Sequence, residues 1–491
     1  MLAASRGGSP LERPNGPPLN SPRPETAPAT GRRPLLRVLG SWEGAAIGIG
    51  VAIGAGIFRT PGYVAGFLDT PAKVLAAWGV GTLLVVGDSL LLAELATRIP
   101  RAGGWYVYIE KGWGRFPAFV YGWTYMLVVD PASSAALVVV LGEFLSSLLG
   151  IGPAAGRLAA IGITLGLFGS SLAGIRVGSR VQDALTYAKL LALVGVGVLA
   201  FILPAAAGPA ASHPPAASGL LAFGLALQGV LWTFEGYSNT TTMTEESVDP
   251  RRTLPRALVF GSLALGATYM LVNAAYLHVL GLDGLRASAL PGADLSYRLF
   301  VALGTTVFLL LATLAAVGSL NGAALSAPRV AFALARAKLA PEPLTRVTRL
   351  GTPDLATLWF AIAWTAYAWL GSFEGLVAVS LFIGALCNVA VTATLFVHRR
   401  RDGVPAPTGP RPGGGEPALP AAPGRVFLSP LYPLLPIAML ACWSAFAAAV
   451  LYDQGWAVGY GLLATGVAAA AYLLMRRRGG TRRERGAPAS P

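Results

Sequence analysis

The sequence predicts an all-α integral membrane protein with about 12 membrane-spanning helices. Hydrophobic residues make up 54% of the chain and charged residues 12%, whereas soluble domains carry about 25% charged residues. Apolar stretches of about 20 residues, the length a helix needs to cross a bilayer, recur along the chain. Helices are expected because lipid offers the backbone no hydrogen bonds, and the stretches are too uniformly apolar for barrel strands.

Hydrophobic runs bounded by charged residues, proline and glycine predict the individual spans. They lie near residues 41–66, 72–98, 116–149, 157–174, 181–204, 219–246, 255–281, 297–336, 353–371, 373–398, 427–452 and 455–475. This division predicts a disordered cytoplasmic tail at 1–40, a core of ten spans at 41–398, a cytoplasmic linker at 399–426, two further spans within 427–476 and a cytoplasmic tail at 477–491. The tails and the linker are expected to be disordered because they are polar and rich in proline and arginine. The N-terminal tail also lacks the apolar segment of a signal peptide.

The basic residues are distributed unequally between the two sides of these spans. If the N-terminus is inside, five of the 37 lysines and arginines lie outside, namely Arg59, Lys73, Arg157, Arg286 and Arg298. Lys189 falls within a span and the others lie inside. This positive-inside asymmetry supports cytoplasmic termini and an even number of spans. The formal charge of +14 therefore reflects topology in a cell membrane, plasma or inner, and not nucleic-acid binding.

Two spans are interrupted. Span one carries Gly48, Gly50, Gly54 and Gly56, and span six carries a polar stretch around Glu235. Interrupted helices at corresponding positions of two halves are typical of secondary transporters built from inverted repeats, here at about 41–204 and 219–398. For span one alone, close packing through small residues is an equal alternative.

Three charged residues within the spans are candidates for function. Glu235 near the bilayer centre is costly to bury; it would bind a substrate ammonium or cationic side chain, or carry a proton, unless helix ends and water satisfy it. Lys189 needs a carbonyl or carboxylate partner, or must lose its proton. Asp130 precedes Pro131 and is a further candidate for the pathway and for proton coupling, with a packing or water-bridged role as the alternative. Asp88 in span two has no explanation from the sequence.

Four motifs in order resemble the amino acid-polyamine-organocation (APC) superfamily of permeases, and most of all its L-amino-acid transporter-like branch. They are Gly54-Ala-Gly-Ile-Phe-Arg-Thr-Pro, Ala93-Glu-Leu-Ala-Thr-Arg-Ile-Pro-Arg-Ala-Gly-Gly-Trp-Tyr-Val-Tyr, Glu245-Glu-Ser-Val-Asp-Pro-Arg-Arg-Thr-Leu-Pro-Arg-Ala and Asn321-Gly-Ala-Ala-Leu-Ser-Ala-Pro-Arg. The resemblance implies the 5+5 inverted-repeat (LeuT-like) fold, with helices 1 and 6 broken at a central site.

The resemblance also implies roles for the residues at the two breaks. A substrate carboxylate would meet the N–H groups of Gly54, Ala55 and Gly56, in a segment that extends to Ile57. Carbonyls around Ala52, Ile53, Trp232 and Phe234 would hold the α-ammonium, with Phe234 as a gate beside Glu235 and Gly236. Ala55 replaces a serine or threonine common in relatives. An acidic residue at the Glu235 position favours cationic substrates.

Lys189 matches a span-five lysine that, in related proton-coupled permeases, resembles a built-in replacement for a sodium ion. We therefore expect Lys189 to exchange a proton, with Glu235 and Asp130 as further candidates for coupling. The alternative is a permanently charged tether between span five and the broken span one.

The sequence thus predicts a secondary active amino acid transporter that works by alternating access, through proton-coupled symport with cationic substrates favoured. The alternatives are an amino acid or polyamine exchanger and a non-transporting nutrient receptor. No enzyme is expected, because no nucleophile and base arrangement is found, and no cofactor or metal, the coupling ion being the proton. Cys387 and Cys442 lie within spans, so no disulfide-linked subunit is implied. Trp105, Tyr106 and Tyr108 are expected as anchors at the membrane interface. The amino acid, the stoichiometry and the oligomeric state are left open.

Overall fold

The computed structural model describes residues 34–204, 219–371, 373–401 and 426–453, and parts of 459–473. Regular structure in these residues is helical, apart from one isolated bridge between Leu39 and Ser247. The α-helices are α1 (Ser41–Ala52), α2 (Gly56–Phe67), α3 (Pro71–Arg98), α4 (Trp105–Trp113), α5 (Arg115–Thr124), α6 (Asp130–Leu149), α7 (Pro153–Leu172), α8 (Ile175–Ile202), α9 (Gly219–Thr233), α10 (Pro250–Ala287), α11 (Pro291–Phe300), α12 (Gly304–Ser326), α13 (Pro328–Arg336), α14 (Asp354–Leu370), α15 (Phe373–Arg401) and α16 (Leu434–Asp453).

Several helices are long and apolar enough to cross a membrane. The described part of the chain contains eight, or nine if α1 and α2, which meet at 56°, form one broken span. The predicted all-α, multi-pass membrane architecture is therefore confirmed. Helices α9 and α14 have 15 and 17 residues, slightly fewer than the roughly 20 of a full span. The span predicted at 455–475 lies largely outside the described residues.

Residues 34–40, which the sequence assigns to the N-terminal tail, are part of the described structure. The N–H groups of Val38 and Leu39 donate to the carbonyl of Glu246 at 2.9 and 3.0 Å, and Val248 donates to the carbonyl of Leu39 at 2.9 Å. Leu39 is buried because its side chain packs in an apolar cluster at the end of α1. The N-terminal segment is thus paired with the strand-like residues that follow span six. The rest of the predicted tails and linker, at 1–33, 402–425 and 474–491, lies outside the described residues.

A buried aromatic cluster joins three helices behind the two breaks. Trp78 of α3 packs edge-on against Tyr269 of α10, with ring centroids 5.7 Å apart. Phe234, directly after α9, packs on Tyr269 at 4.9 Å and on Trp78 at 6.3 Å. All three rings are fully buried, and such aromatic pairs add stability beyond their buried area. The cluster fixes α9 and α10 against α3 and so positions the end of α9.

Candidate functional site

The first span is broken between Ala52 and Gly56. Ile53 leaves the helical region, with φ −75° and ψ 84°, and the N–H of Gly54 turns back to the carbonyl of Ala52 at 2.9 Å. The N–H groups of Ala55 and Gly56 form no backbone hydrogen bond with the described residues. Such groups at the start of a helix, together with the positive end of the helix dipole, suit a carboxylate.

The second break follows Thr233, where α9 ends, and is succeeded by the 3₁₀ segment Tyr237–Glu246. Gly236 has φ +109°, a conformation that residues with a side chain rarely adopt. A Cβ at this position would lie 2.5 Å from Cγ1 of Val51 and 3.1 Å from the backbone nitrogen of Ala52. A glycine is therefore required at position 236, because any side chain there would clash with Val51 and Ala52 of the first break.

A cavity of about 180 Å³ opens between the two breaks. Its volume is that of about six water molecules. Residues of the two breaks, of α6 and of α12 line it, together with side chains near α4, α5 and α15. The predicted site residues that it brings together are Ala52, Gly54, Ala55, Gly56, Asp130, Trp232, Glu235 and Gly236.

Four other predicted site residues are not among those that line the cavity. Ile53, Ile57 and Phe234 are fully buried, and Phe234 packs against Tyr269 as described above. Lys189 is also buried. These residues lie behind the residues that line the cavity. Direct contact between the side chain of Phe234 and the substrate therefore stays a prediction for another conformation.

The carbonyls predicted to hold an α-ammonium already accept hydrogen bonds. Tyr269 donates its hydroxyl to Ala52 at 3.0 Å, and the N–H of Glu235 donates to Trp232 at 3.0 Å. A carbonyl oxygen has two lone pairs. The carbonyl of Trp232 thus retains one lone pair, whereas the carbonyl of Ala52 accepts from both Tyr269 and the N–H of Gly54 and is held in place by them.

The ammonium of Lys189 is held by the carbonyl end of α1. Its Nζ donates to the carbonyls of Gly50 and Ile53, the latter at 2.9 Å. The hydroxyl of Ser319 reaches the same region, at 2.6 Å from the carbonyl oxygen of Val51 and 3.0 Å from that of Ile53. A cation is favourable at the C-terminal end of a helix. Lys189 forms no ion pair with a carboxylate of the described chain, so carbonyls alone compensate its charge.

Two carboxylates line the cavity. The side chain of Glu235 is exposed to it and forms no hydrogen bond with another described residue. Asp130 is only 6% exposed; its Oδ1 accepts from the hydroxyl of Tyr125 at 3.2 Å and its Oδ2 from Nε1 of Trp364 at 2.8 Å. The cavity wall therefore offers two carboxyl groups that a cationic group could complement.

Asp88 lies outside this cavity but is linked to the second break. It is 2% exposed, and it accepts hydrogen bonds from the hydroxyl of Tyr237 and, at 3.5 Å, from Nε1 of Trp443. Because Tyr237 follows Gly236 directly, Asp88 connects α3 and α16 to the broken segment. This accounts for a carboxylate that the sequence left unexplained.

Ion pairs join the end of the second break to α13. Glu246 pairs with Arg329 at 2.8 Å, both side chains being fully buried, and Glu245 pairs with Arg336 at 2.8 Å. Burying an ion pair is costly, but removing one partner is costlier still. These pairs therefore fix the 3₁₀ segment to the neighbouring helix.

One prediction about the segment between predicted spans two and three is wrong. Tyr106 and Tyr108, expected at the membrane interface, are 1% and 0% exposed, and Trp105 lines the cavity. The signal that points the other way is the pair Gly103 and Gly104, both with positive φ, which turns the chain into the protein before α4. Sequence reasoning also missed several other lining or supporting residues, namely Tyr121, Tyr125, Ser319 and Tyr269.

Comparison with known proteins identifies the family of the chain. The profile of the family "Amino acid permease" matches residues 39–471. The serine/threonine exchanger SteT of Bacillus subtilis (strain 168) is 28% identical over 406 residues, 80% of this chain and 86% of the exchanger. The b(0,+)-type amino acid transporter 1 of Homo sapiens is 28% identical over 375 residues, 74% of this chain and 76% of that protein. The cystine/glutamate transporter of Homo sapiens is 29% identical over 329 residues, 65% of each chain. The resemblance expected from the four motifs is thereby confirmed, and the chain belongs to the amino acid permease family.

Proposed function

We propose that this chain is a secondary active amino acid transporter that works by alternating access at the cavity between the two breaks. We further propose twelve spans in a 5+5 inverted-repeat arrangement, in the cell membrane with both termini cytoplasmic. The position of the breaks supports this arrangement, because they lie in predicted spans one and six and an odd repeat of five spans inverts its own topology.

The binding mode follows from the groups that face the cavity. A substrate carboxylate would accept hydrogen bonds from the N–H groups of Ala55 and Gly56 at the start of α2. The α-ammonium would bind the remaining lone pair of the carbonyl of Trp232. Glu235, exposed in the cavity and without a hydrogen-bond partner in the described chain, supports a preference for cationic substrates.

The single observation that carries the coupling proposal is the placement of Lys189. Its ammonium binds the carbonyls of Gly50 and Ile53, at the break whose other end offers N–H groups to the cavity. Loss of a proton from Lys189 would remove a cation from these carbonyls and change how firmly the break is held. A proton, with no other cofactor, would thereby drive the transport cycle as a symport.

Exchange is the second candidate. SteT, 28% identical over 406 residues, is named a serine/threonine exchanger, which favours antiport of amino acids on the same fold. Symport and exchange differ in one requirement: an exchanger needs substrate on both sides of the membrane, whereas a proton symporter needs a proton gradient.

Uptake into proteoliposomes of the purified full-length chain tests these proposals. Radiolabelled arginine, lysine and several neutral amino acids are offered with and without an inward proton gradient, and with and without internal substrate. With the gradient, we expect the internal substrate concentration to rise above the external one. Lys189→Gln should lose this accumulation. Glu235→Gln should lose cationic substrates selectively.

Lys73→Gln is the matched control, because Lys73 is exposed and pairs with Asp69 on the surface. It should accumulate substrate as the wild type does. Full gradient-driven accumulation by Lys189→Gln would disprove the coupling role of the lysine. Uptake only into preloaded vesicles would establish exchange, and substrate binding without transport would establish a receptor.

A further inference from the structure

Asp130 begins α6 directly after a π-helical turn, Tyr125–Val129. Pro131 accounts for the π turn, because it has no N–H to donate to the carbonyl of Leu127 four residues earlier. That carbonyl instead accepts a hydrogen bond from the hydroxyl of Tyr367 on α14 at 2.7 Å. Single π turns within α-helices are frequent at functional sites. The turn is thus stabilised from a second helix.

The π turn decides where Asp130 points. In an α-helix, residues five apart point about 140° away from each other. Across the π turn, Tyr125 and Asp130 share a side, since the Tyr125 hydroxyl donates to Oδ1 of Asp130 at 3.2 Å. Both residues line the cavity. The widened turn therefore places the carboxylate of Asp130 in the cavity wall, on the same side of the helix as Tyr125.

Only neutral groups compensate Asp130 within the described chain. The second donor is Nε1 of Trp364 at 2.8 Å, and Trp364 is itself fixed by edge-on packing against Phe168, with centroids 4.8 Å apart. A carboxylate offers about four acceptor positions, so two neutral donors leave it unfilled. A charge at this depth in a membrane is costly unless a cation reaches it.

We propose that Asp130 is a substrate side-chain subsite, which binds the distal ammonium or guanidinium of a cationic amino acid. This inference rests on the proposed function and makes it more specific: the breaks hold the backbone end of the substrate, and Asp130 on α6 reads the charge at the other end. Glu235, at the second break, lies on a different wall of the same cavity.

Two substrates with the same carbon chain test the subsite. Lysine and norleucine differ in the terminal ammonium alone, and their KM and kcat are measured in proteoliposomes for the wild type, Asp130→Asn and Trp364→Phe. Removing a charged hydrogen-bond partner costs about ten- to a hundredfold in affinity. We expect KM for lysine to rise by about that factor in Asp130→Asn and less in Trp364→Phe, with KM for norleucine unchanged. A series from 2,3-diaminopropionate through ornithine to lysine should show a chain-length dependence that Asp130→Asn abolishes.

Glu143→Gln is the matched control, since Glu143 is an exposed carboxylate on the same helix and should change neither KM. Equal losses for lysine and norleucine would overturn the inference in favour of a structural role. Loss of gradient-driven accumulation of both, with both KM values unchanged, would overturn it in favour of proton coupling by Asp130.

Thermal stabilisation by lysine against norleucine in detergent separates this inference from the proposed function. Selective stabilisation by lysine that Asp130→Asn removes, in a protein that transports neither, would support the subsite while the transport proposal fails. Wild-type protein that transports norleucine but neither binds nor transports lysine would overturn the subsite and leave transport intact. A wild type that neither binds nor transports lysine or norleucine would overturn both.

Discussion

Replacing Gly236 by alanine tests whether the contact between the two breaks is as tight as the structure indicates. The backbone at Gly236 has φ +109°. An added Cβ would lie 2.5 Å from Cγ1 of Val51, 3.0 Å from its Cβ and 3.1 Å from the backbone nitrogen of Ala52. The side chain would therefore meet both an unfavourable backbone conformation and a close contact with the backbone of the first break.

The expected cost has two parts. A residue with a side chain in a left-handed conformation costs about 1–2 kcal/mol, and overpacking a tight contact costs about 1–3 kcal/mol. Gly236→Ala should therefore lower the free energy of unfolding by about 2–5 kcal/mol. Val51→Ala removes Cγ1, the nearest atom, so the double variant should recover most of the packing part and none of the backbone part.

Thermal unfolding of the detergent-purified protein, together with uptake into proteoliposomes, measures the effect. Because membrane proteins often unfold irreversibly, variants are ranked by Tm at one heating rate. Gly224→Ala is the control, since Gly224 lies in α9 with open space around it and alanine should be neutral or stabilising by about 0.5–1 kcal/mol. A Gly236→Ala protein with the Tm and uptake of the wild type would refute the close contact.

Three further changes probe the surroundings of the site. A Cβ on Gly318 would lie 2.8 Å from Nζ of Lys189, so Gly318→Ala should displace the ammonium and reduce gradient-driven accumulation more than exchange at equal pH; equal losses would argue against a coupling role. Arg329→Met leaves the buried Glu246 unpaired at a cost of about 3–5 kcal/mol, and Glu246→Gln in the same chain should recover much of the lost Tm; no recovery would contradict the pairing. Cys387 lines the cavity, so a cationic methanethiosulfonate should inhibit uptake, substrate should slow the reaction and Cys387→Ser should resist it. Inhibition that is changed neither by substrate nor by Cys387→Ser would show that the reagent reacts at another site.

The two breaks were predictable from the sequence because their cause is local. Alternate glycines at Gly54 and Gly56 destabilise a helix wherever they stand, and Glu235 followed by Gly236 interrupts an apolar run. The depth of these residues in predicted spans followed from hydropathy alone. The structure accordingly brings all four to one cavity, although they belong to distant parts of the chain.

The supports of the site were not predictable, because they depend on contacts between distant helices. Tyr269 reaches the carbonyl of Ala52 from α10, and Ser319 reaches that of Val51 from α12. A tyrosine or serine in an apolar helix has the same local signature whether it faces a break or a neighbouring helix. Only the packing of α10 and α12 against α1 shows which carbonyls they hold.

The direction in which Asp130 points was also not predictable from the sequence. The dipeptide with Pro131 predicts a kink, but a kink has no preferred direction until a neighbouring helix supplies hydrogen bonds to the freed carbonyl. Tyr367 on α14 donates to this carbonyl, and Trp364 on α14 donates to the carboxylate of Asp130 itself. The side chain of Asp130 therefore faces the cavity because of contacts with residues more than 230 positions away in sequence, such as Trp364.

Lys189 does not line the cavity, so its influence on substrate has to pass through the backbone of the first break. The ammonium binds the carbonyl of Ile53, two residues before the first of the N–H groups proposed to bind the substrate carboxylate. If protonation of Lys189 changes substrate affinity by some factor, substrate binding must change its proton affinity by the same factor. Adding substrate to weakly buffered, detergent-purified protein should then move protons to or from the solvent, as measured by a pH indicator. Lys189→Gln should abolish this exchange while still binding substrate, and Lys73→Gln should retain it. Substrate binding by the wild type with no proton movement across the pH range of transport would mean that the lysine is a fixed tether and that the driving ion acts elsewhere.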